Sequence, residues 1–181
     1  MKNVVIFDLE ATCEDKSIDN NYPSEIIEIG AVKLQDNKIV GEFSAFVKPT
    51  ITNKLTSFCK ELTTITDQNI RNAMTIEQVI PIFHEWIKDC KLISCGMYDK
   101  KQFKREIAMK NLEDVFLDFL SDLDVYHVNL KTIFKKKTGL KKKGMVGMAN
   151  DLNIELSGTH HRGIDDAKNI AKIYLKLKNN Y

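Results

Sequence analysis

Four apolar residues in a row, Val4-Val5-Ile6-Phe7, run straight into Asp8-Leu9-Glu10, and that junction limits the fold more than any other stretch of the chain. An unbroken apolar run of this length reads as a buried strand. Side chains alternate across a strand, so Asp8 and Glu10 share one face at its C-terminal end. Two carboxylates held side by side repel each other unless a cation sits between them, and hard oxygen donors suit Mg²⁺ or Mn²⁺. The stretch fits a metal site, or else a strand running out into a solvated turn; residues further along the chain decide between them.

With 43% hydrophobic and 29% charged residues, 181 residues are enough for one full core, which predicts a single domain over residues 1–181. The apolar run is too short to span a bilayer and no cleavage-site pattern comes after it, so no membrane association and a cytoplasmic location are expected. Cys13, Cys59, Cys90 and Cys95 lack CxxC spacing, which argues against a zinc ribbon and for scattered reduced thiols. A net charge of +2 leaves any anionic partner to be met locally.

Glu25 to Leu34 carries a second strand, Asp36-Asn37 supplies turn chemistry, and Ile39 to Val47 forms a third strand ended by Pro49. Such short connections imply an antiparallel three-strand meander. Residues 50–74 are mixed, with short helical pieces. Ile76, Val79, Ile80, Phe83 and Ile87 recur at helical spacing behind a candidate capping box of Thr75 and Gln78. Leu92 to Cys95 reads as a strand reached by a crossover, succeeded by a helix through Phe103, Ile107 and Ala108. Val125 to Val128 offers another strand, and helices come next near Leu130–Phe134, Met145–Leu152 and Ile164–Lys178. The expected class is α/β: a mixed five-stranded sheet, meander plus parallel strands, with helices on both faces.

Four carboxylates fall at the ends of these elements: Asp8 and Glu10 on the first strand, Asp99 beyond the fourth, and Asp166 at the start of the last helix. Ligands of α/β sheets gather at the carboxyl ends of strands. Residues His160-His161-Arg162-Gly163-Ile164-Asp165-Asp166 offer two His-to-Asp pairs with the same five-residue step, and helical periodicity separates them. Asp166 heads the column Ile170, Ile173, Tyr174, Leu177, which must face the sheet, whereas Asp165 heads Asn169, Lys172 and Lys176 toward water. Asp166 is then the inward acid, kept ionised near a helix N-terminus, and His161 belongs to it. An acidic cluster with one imidazole is the equipment for two-metal phosphodiester hydrolysis, with ions roughly 3.5–4 Å apart and a histidine to take a proton from water. Singly, His161 also reads as a loop histidine bonded to backbone and Asp99 as a helix N-cap; jointly, those alternatives must explain every acid separately.

Phe7-Asp8-Leu9-Glu10-Ala11-Thr12-Cys13, then Gly96-Met97-Tyr98-Asp99, then His161-Arg162-Gly163-Ile164-Asp165-Asp166-Ala167 resemble the three motifs of the DEDDh exonucleases, DnaQ-like 3′-to-5′ enzymes with a ribonuclease H-like fold. Ser24 to Val32 and Phe58-Cys59-Lys60-Glu61-Leu62-Thr63 resemble the Eri-like or KapD-like branch. The resemblance implies that Asp8, Glu10 and Asp166 hold the tightly bound metal, that Asp99 completes the set, and that His161 is the general base. It also implies that Leu9, Ala11 and Thr12 lie against the terminal nucleotide. Two departures stand out: Tyr98 where the family often has Trp, and Leu62-Thr63-Thr64-Ile65 where many relatives have Leu-Thr-Gly-Ile.

Lys135-Lys136-Lys137 and Lys141-Lys142-Lys143 suit either a phosphate-tracking surface or a plain solvated face. Phe83, Trp86, Met145 and Met148 read as core packing, and Cys13 lies close enough to Glu10 for thiol modification to disturb it. The resulting expectation is a cytoplasmic exonuclease using two ions of Mg²⁺ or Mn²⁺ on single-stranded RNA or DNA with a free 3′ end. RNA is slightly preferred, and 5′-mononucleotides are released. The rivals are a DNA-polymerase proofreading exonuclease, a nucleic-acid-binding module without catalysis, and a small-molecule phosphohydrolase.

Overall fold

Alternation along the first strand, β1 (Val4–Ala11), assigns its side chains to two separate cores. Val5, Phe7 and Leu9 enter one, and Ile6 enters the other. Asp8 and Glu10 come after Ile6 by even steps onto the second face. The structure, a computed structural model, describes residues 3–180. Met1, Lys2 and Tyr181 lie outside the described residues.

The elements continue as β2 (Ile26–Gln35), β3 (Lys38–Lys48), α1 (Ser57–Thr63), α2 (Asp67–Arg71), β4 (Met74–Thr75), α3 (Ile76–Ile87) and β5 (Lys91–Ser94). They end with α4 (Tyr98–Met109), α5 (Leu117–Tyr126), β6 (His127–Asn129), α6 (Leu130–Thr138), α7 (Met145–Asp151) and α8 (Gly163–Asn180). Strand order is β4-β3-β2-β1-β5-β6. β1, β2 and β3 form the antiparallel meander, and β5 and β6 add in parallel on the other side of β1. Between β2 and β3, Asp36 and Asn37 both take positive φ, 49° and 65°, the backbone that matches a two-residue turn to strand twist. The mixed sheet agrees with the expected class but has one strand more. β4 pairs two residues in parallel with Val47 and Lys48, too few for periodicity to announce.

On the Phe7 face, α3, α4 and α5 supply Ile76, Val79, Ile80, Phe83, Phe103, Ile107, Phe119 and Leu123. The rings of Phe83 and Phe103 stack at 5.9 Å, and Phe119 meets Phe103 edge-on at 5.1 Å. Each buried ring of this kind contributes about 1.5–3 kcal/mol. The capping box of Thr75 and Gln78 is formed at the start of α3. On the Ile6 face, α6, α7 and α8 supply Leu130, Phe134, Met145, Met148, Ile170, Ile173 and Leu177. α5 carries two inward residues, Phe119 and Leu123, among Asp118, Asp122 and Asp124, too thin a pattern to mark it in the sequence. No helix among the described residues is long and apolar enough to cross a membrane.

Asn169 corrects the water-facing assignment made for one column of α8. It is buried, and its amide exchanges two hydrogen bonds with the Ser157 backbone, at 3.0 and 2.8 Å. Lys172 reaches the Glu155 carbonyl and Ser157 Oγ, and Asp165 accepts the Thr159 N–H. The segment before α8 lies over this face, a covering that helical periodicity alone does not reveal.

The start of α8 is pressed onto the sheet at a pair of glycines. A Cβ on Gly30 would lie 1.9 Å from the backbone carbon of Gly163, and one on Gly163 would lie 3.2 Å from the Asp8 carbonyl oxygen. Gly30→Ala must therefore push backbone against backbone, and we expect a loss of about 3 kcal/mol in urea unfolding. Thr64, just past the end of α1, holds φ 61° with its N–H bonded to the Lys60 carbonyl. A β-branched residue is strained in that conformation. Thr64→Gly should raise stability by about 0.5–1 kcal/mol in the same measurement, the relief of strain exceeding the added freedom of the unfolded chain.

Candidate active site

The parallel ladder between β1 and β5 ends at Ile6 and Ile93. Beyond that point the two strands part and a crevice opens. Leu9 N–H, lying past the end of that ladder, donates to Asp99 Oδ1 at 3.2 Å, which fixes this carboxylate from the first turn of α4. Asp99 is thus not a helix N-cap. On the other side of β1, Asp8 pairs with Gly30 and Glu10 with Glu28 before the register shifts at Glu10/Ala11. Such an irregularity beside a site re-aims the chain and stops the pairing.

Asp166 comes in from the first turn of α8, and single oxygens of Asp8, Glu10 and Asp166 lie within 4.8 Å of one another. Its approach is secured by Glu28, a fully buried acid that periodicity and motif spacing leave unassigned. Glu28 takes two bonds from the Arg162 guanidinium, both 3.1 Å, and one from Gly163 N–H at 2.9 Å. A lone acid in the run Ile26-Ile27-Glu28-Ile29 was the available signal, because a buried carboxylate must find a partner.

The two histidines divide the contacts that spacing had assigned to one. His161 donates its backbone N–H to Asp166 Oδ2 at 3.1 Å, while the imidazole on Asp166 is that of His160, whose Nδ1 stands 3.1 and 3.0 Å from the two oxygens. His161 Nδ1 lies 4.0 Å from Glu10 Oε1, and the two rings stack at 4.0 Å. The His161 backbone sits at φ 62°, a strained conformation for this residue that brings its ring to the pocket.

All five candidate residues, Asp8, Glu10, Asp99, His161 and Asp166, line one open pocket of about 270 Å³. Leu9 lines it too. Ala11 and Thr12 are buried, and the Thr12 hydroxyl is taken up by the loop, donating to Pro23 O at 2.7 Å and accepting Glu25 N–H at 2.8 Å. Cys95, Tyr98, Lys131, Gly144, Met145 and His160 complete the wall, none of them named from the sequence as site residues. Beside the site, Cys13 packs against the buried cluster that holds Cys59, a proximity that their sequence separation hides.

Burial and mutual repulsion raise the acids together. Asp8 is held well above the usual carboxylate range by burial and then by the charges of Asp99, Glu10, Asp166 and Glu28. Glu10 is pushed up to about 8 by burial and then by Asp166, Glu28 and Asp99. Asp99 rises to about 6 through burial, against the hydrogen bonds from Ser94, its own N–H and Leu9 and against the Lys131 charge. His161 is lowered by burial and by His160, with Asp166 pulling the other way, so it is neutral near pH 7 and able to accept a proton. Clustered hard oxygen donors that cannot all ionise unaided fit a divalent cation, which would be held by Asp8, Glu10 and Asp166.

The exonuclease family model RNase_T matches residues 5–174. The chain is 31% identical over 186 residues to human ERI1 exoribonuclease 3, covering 96% of this chain and 52% of that protein. It is 30% identical over 175 residues to the Probable 3′-5′ exonuclease KapD of Bacillus subtilis, covering 95% and 82%. It is 34% identical over 176 residues to the PolC-type DNA polymerase III of Caldanaerobacter subterraneus, covering 96% and 11%. The chain therefore spans about half of the human relative and about a tenth of the polymerase. Among solved structures, the nuclease domain of 3′hExo, a DEDDh family member bound to rAMP, superposes with a TM-score of 0.87 at 25% identity, covering 99% of this chain and 92% of that one.

The raised acids set the pH dependence of stability when divalent cations are chelated. The unfolded carboxylates ionise near 3.8 and 4.5, but Asp99 and Glu10 keep their protons in the fold up to about 6 and 8. Their stabilisation is whole below the unfolded values and is lost as pH rises through the folded ones. In EDTA the melting temperature should therefore fall as pH rises from about 4 to about 8. Glu10→Gln, which mimics the protonated acid, should flatten the upper part of that fall in a thermal-melt series.

Proposed function

The chain belongs to the DEDDh 3′-to-5′ exonucleases, and from that premise we propose that residues 1–181 act as one cytoplasmic exonuclease domain on single-stranded nucleic acid. It removes the terminal nucleotide from a free 3′ end and releases a 5′-mononucleotide, with RNA slightly preferred over DNA. The observation that carries this is the convergence of Asp8, Glu10, Asp99 and Asp166 with a neutral His161 around one open pocket. The preference for RNA is supported by the likeness to an exoribonuclease and to a nuclease domain solved with rAMP.

Two divalent ions, Mg²⁺ or Mn²⁺, would supply Lewis-acid activation of water and charge neutralisation at the leaving oxygen. Asp8, Glu10 and Asp166 would hold them, and Asp99 would complete the set. His161 takes the proton from the attacking water, for which its ring must be unprotonated. Glu10 and the His160 ring flank that ring, and the main chain of His161 is tied to Asp166. Leu9 lies against the terminal nucleotide from the pocket wall through its main chain, its side chain being buried in the Phe7-face core, and Ala11 and Thr12 continue the main chain behind it. Lys141 and Lys142 are exposed and stand just before Gly144 and Met145 of the pocket wall, so they meet the phosphates of the strand further from its end. Lys143 is held by Asp151 at 2.8 Å.

A second role, proofreading as part of a DNA polymerase, is favoured by the 34% identity to a segment of PolC. The test uses 5′-labelled single-stranded RNA and DNA with Mg²⁺, Mn²⁺ or chelator. A ladder shortening from the 3′ end, abolished by chelator and by Asp8→Asn and cut at least 100-fold in rate by His161→Ala, is expected. Faster shortening of DNA than of RNA would favour the proofreading role, and undiminished cleavage in chelator would refute the metal-dependent mechanism.

A further inference from the structure

Lys131 is the one lysine in a pocket walled by four carboxylates, and it pairs with none of them. It stands in the first turn of α6, immediately after β6, at the same end of the sheet as the acids of β1. Its backbone is fixed on both sides: Leu130 is fully buried, and Asn129 Oδ1 accepts the Lys131 N–H at 2.9 Å. The side chain then runs over Gly96. A Cβ placed on Gly96 would meet its Cδ, Cε and Nζ at 3.9, 3.6 and 3.5 Å, so the bare glycine gives the lysine stem its bed. Gly96 has φ 126°, which side-chain-bearing residues rarely adopt, and this helps keep the bed open.

A lysine placed only to neutralise the acids would sit in ion-pair contact with one of them. Lys131 is half-buried, and its ammonium has no ion-pair or hydrogen-bond partner among the described residues, although its charge is felt at Asp99 and Cys95. An ammonium with its stem held and its donors free is set to receive an anion from outside the protein. The anion that enters this pocket in the exonuclease reaction is the terminal phosphodiester. Its charge is repelled by every other acidic group on the wall, and it gains a further negative charge as water adds.

Resting on the exonuclease function set out above, we propose that Lys131 binds the phosphate under attack, the one that departs as the 5′-phosphate of the mononucleotide product. The side chain transfers no proton and forms no covalent bond; it holds a non-bridging oxygen by a charge-assisted hydrogen bond. Lys131 is then a specificity residue as well, distinguishing a phosphorylated terminal nucleotide from a bare nucleoside.

The full chain, Lys131→Met and Lys131→Arg are compared by calorimetric binding of 5′-AMP and of adenosine in Mg²⁺, and by cleavage of a 5′-labelled single-stranded oligomer. Methionine keeps a stem of similar length over Gly96, so a matching melting temperature certifies the fold. Lys131→Met should weaken 5′-AMP about tenfold, the size of one modest charge-assisted hydrogen bond, and leave adenosine within a factor of two. Cleavage should lose about tenfold or more in kcat/KM, and Lys131→Arg should recover most of both losses. Unchanged 5′-AMP affinity in Lys131→Met, or an equal loss for adenosine, overturns the assignment while the parent still cleaves. A parent protein that neither cleaves nor binds 5′-AMP overturns the exonuclease function itself, and this inference with it.

Discussion

The contact of Gly163 with Gly30 determines how near the last helix can come to the central strands, and the acidic pocket depends on that distance. Glu28 makes the approach favourable: it accepts the first free N–H of α8 and both arms of Arg162, so the positive end of the helix meets a buried anion. Asp166 is carried in on the same turn. Removing the glycine clearance or the Glu28 anchor would leave Asp8 and Glu10 in place on β1 but without the third oxygen of the cluster. The catalytic geometry is thus set by groups that take no part in the chemistry.

The cost of that geometry is electrostatic. Asp8, Glu10 and Asp99 are all held above their normal ionisation range because each is buried among the others. Without a counter-ion the site carries protons or carries repulsion, and either state is poorer than one with divalent charge at its centre. The same burial lowers His161, so one environment keeps a base neutral and keeps the acids in need of a cation. Acid and base are separated in function by their own charge type, with a common physical cause.

Much of this was legible in the residues. The alternation of β1 announced two acids on one face, and the column Asp166-Ile170-Ile173-Leu177 announced which acid of the pair turns inward, because both rest on fixed periodicities. Thr75 and Gln78 announced the start of α3 by capping chemistry. What stayed hidden depends on contacts between distant segments. Glu28 gives no clue to Arg162, Asn169 looks like a surface residue until Ser157 lies over it, and Cys13 and Cys59 show no motif spacing. His160 is a related case: its spacing to Asp166 is visible along the chain, but only the positive φ of His161 decides which ring lies on the carboxylate.

The order in which the acids occur along the chain has a consequence for synthesis. Asp8 and Glu10 leave the ribosome early, whereas Asp166 emerges after most of the domain, and its helix must dock before three oxygens can meet. A growing polypeptide that has made β1 to β6 therefore holds an incomplete cation site. The three-oxygen cluster is whole only when the closing helix settles against the sheet.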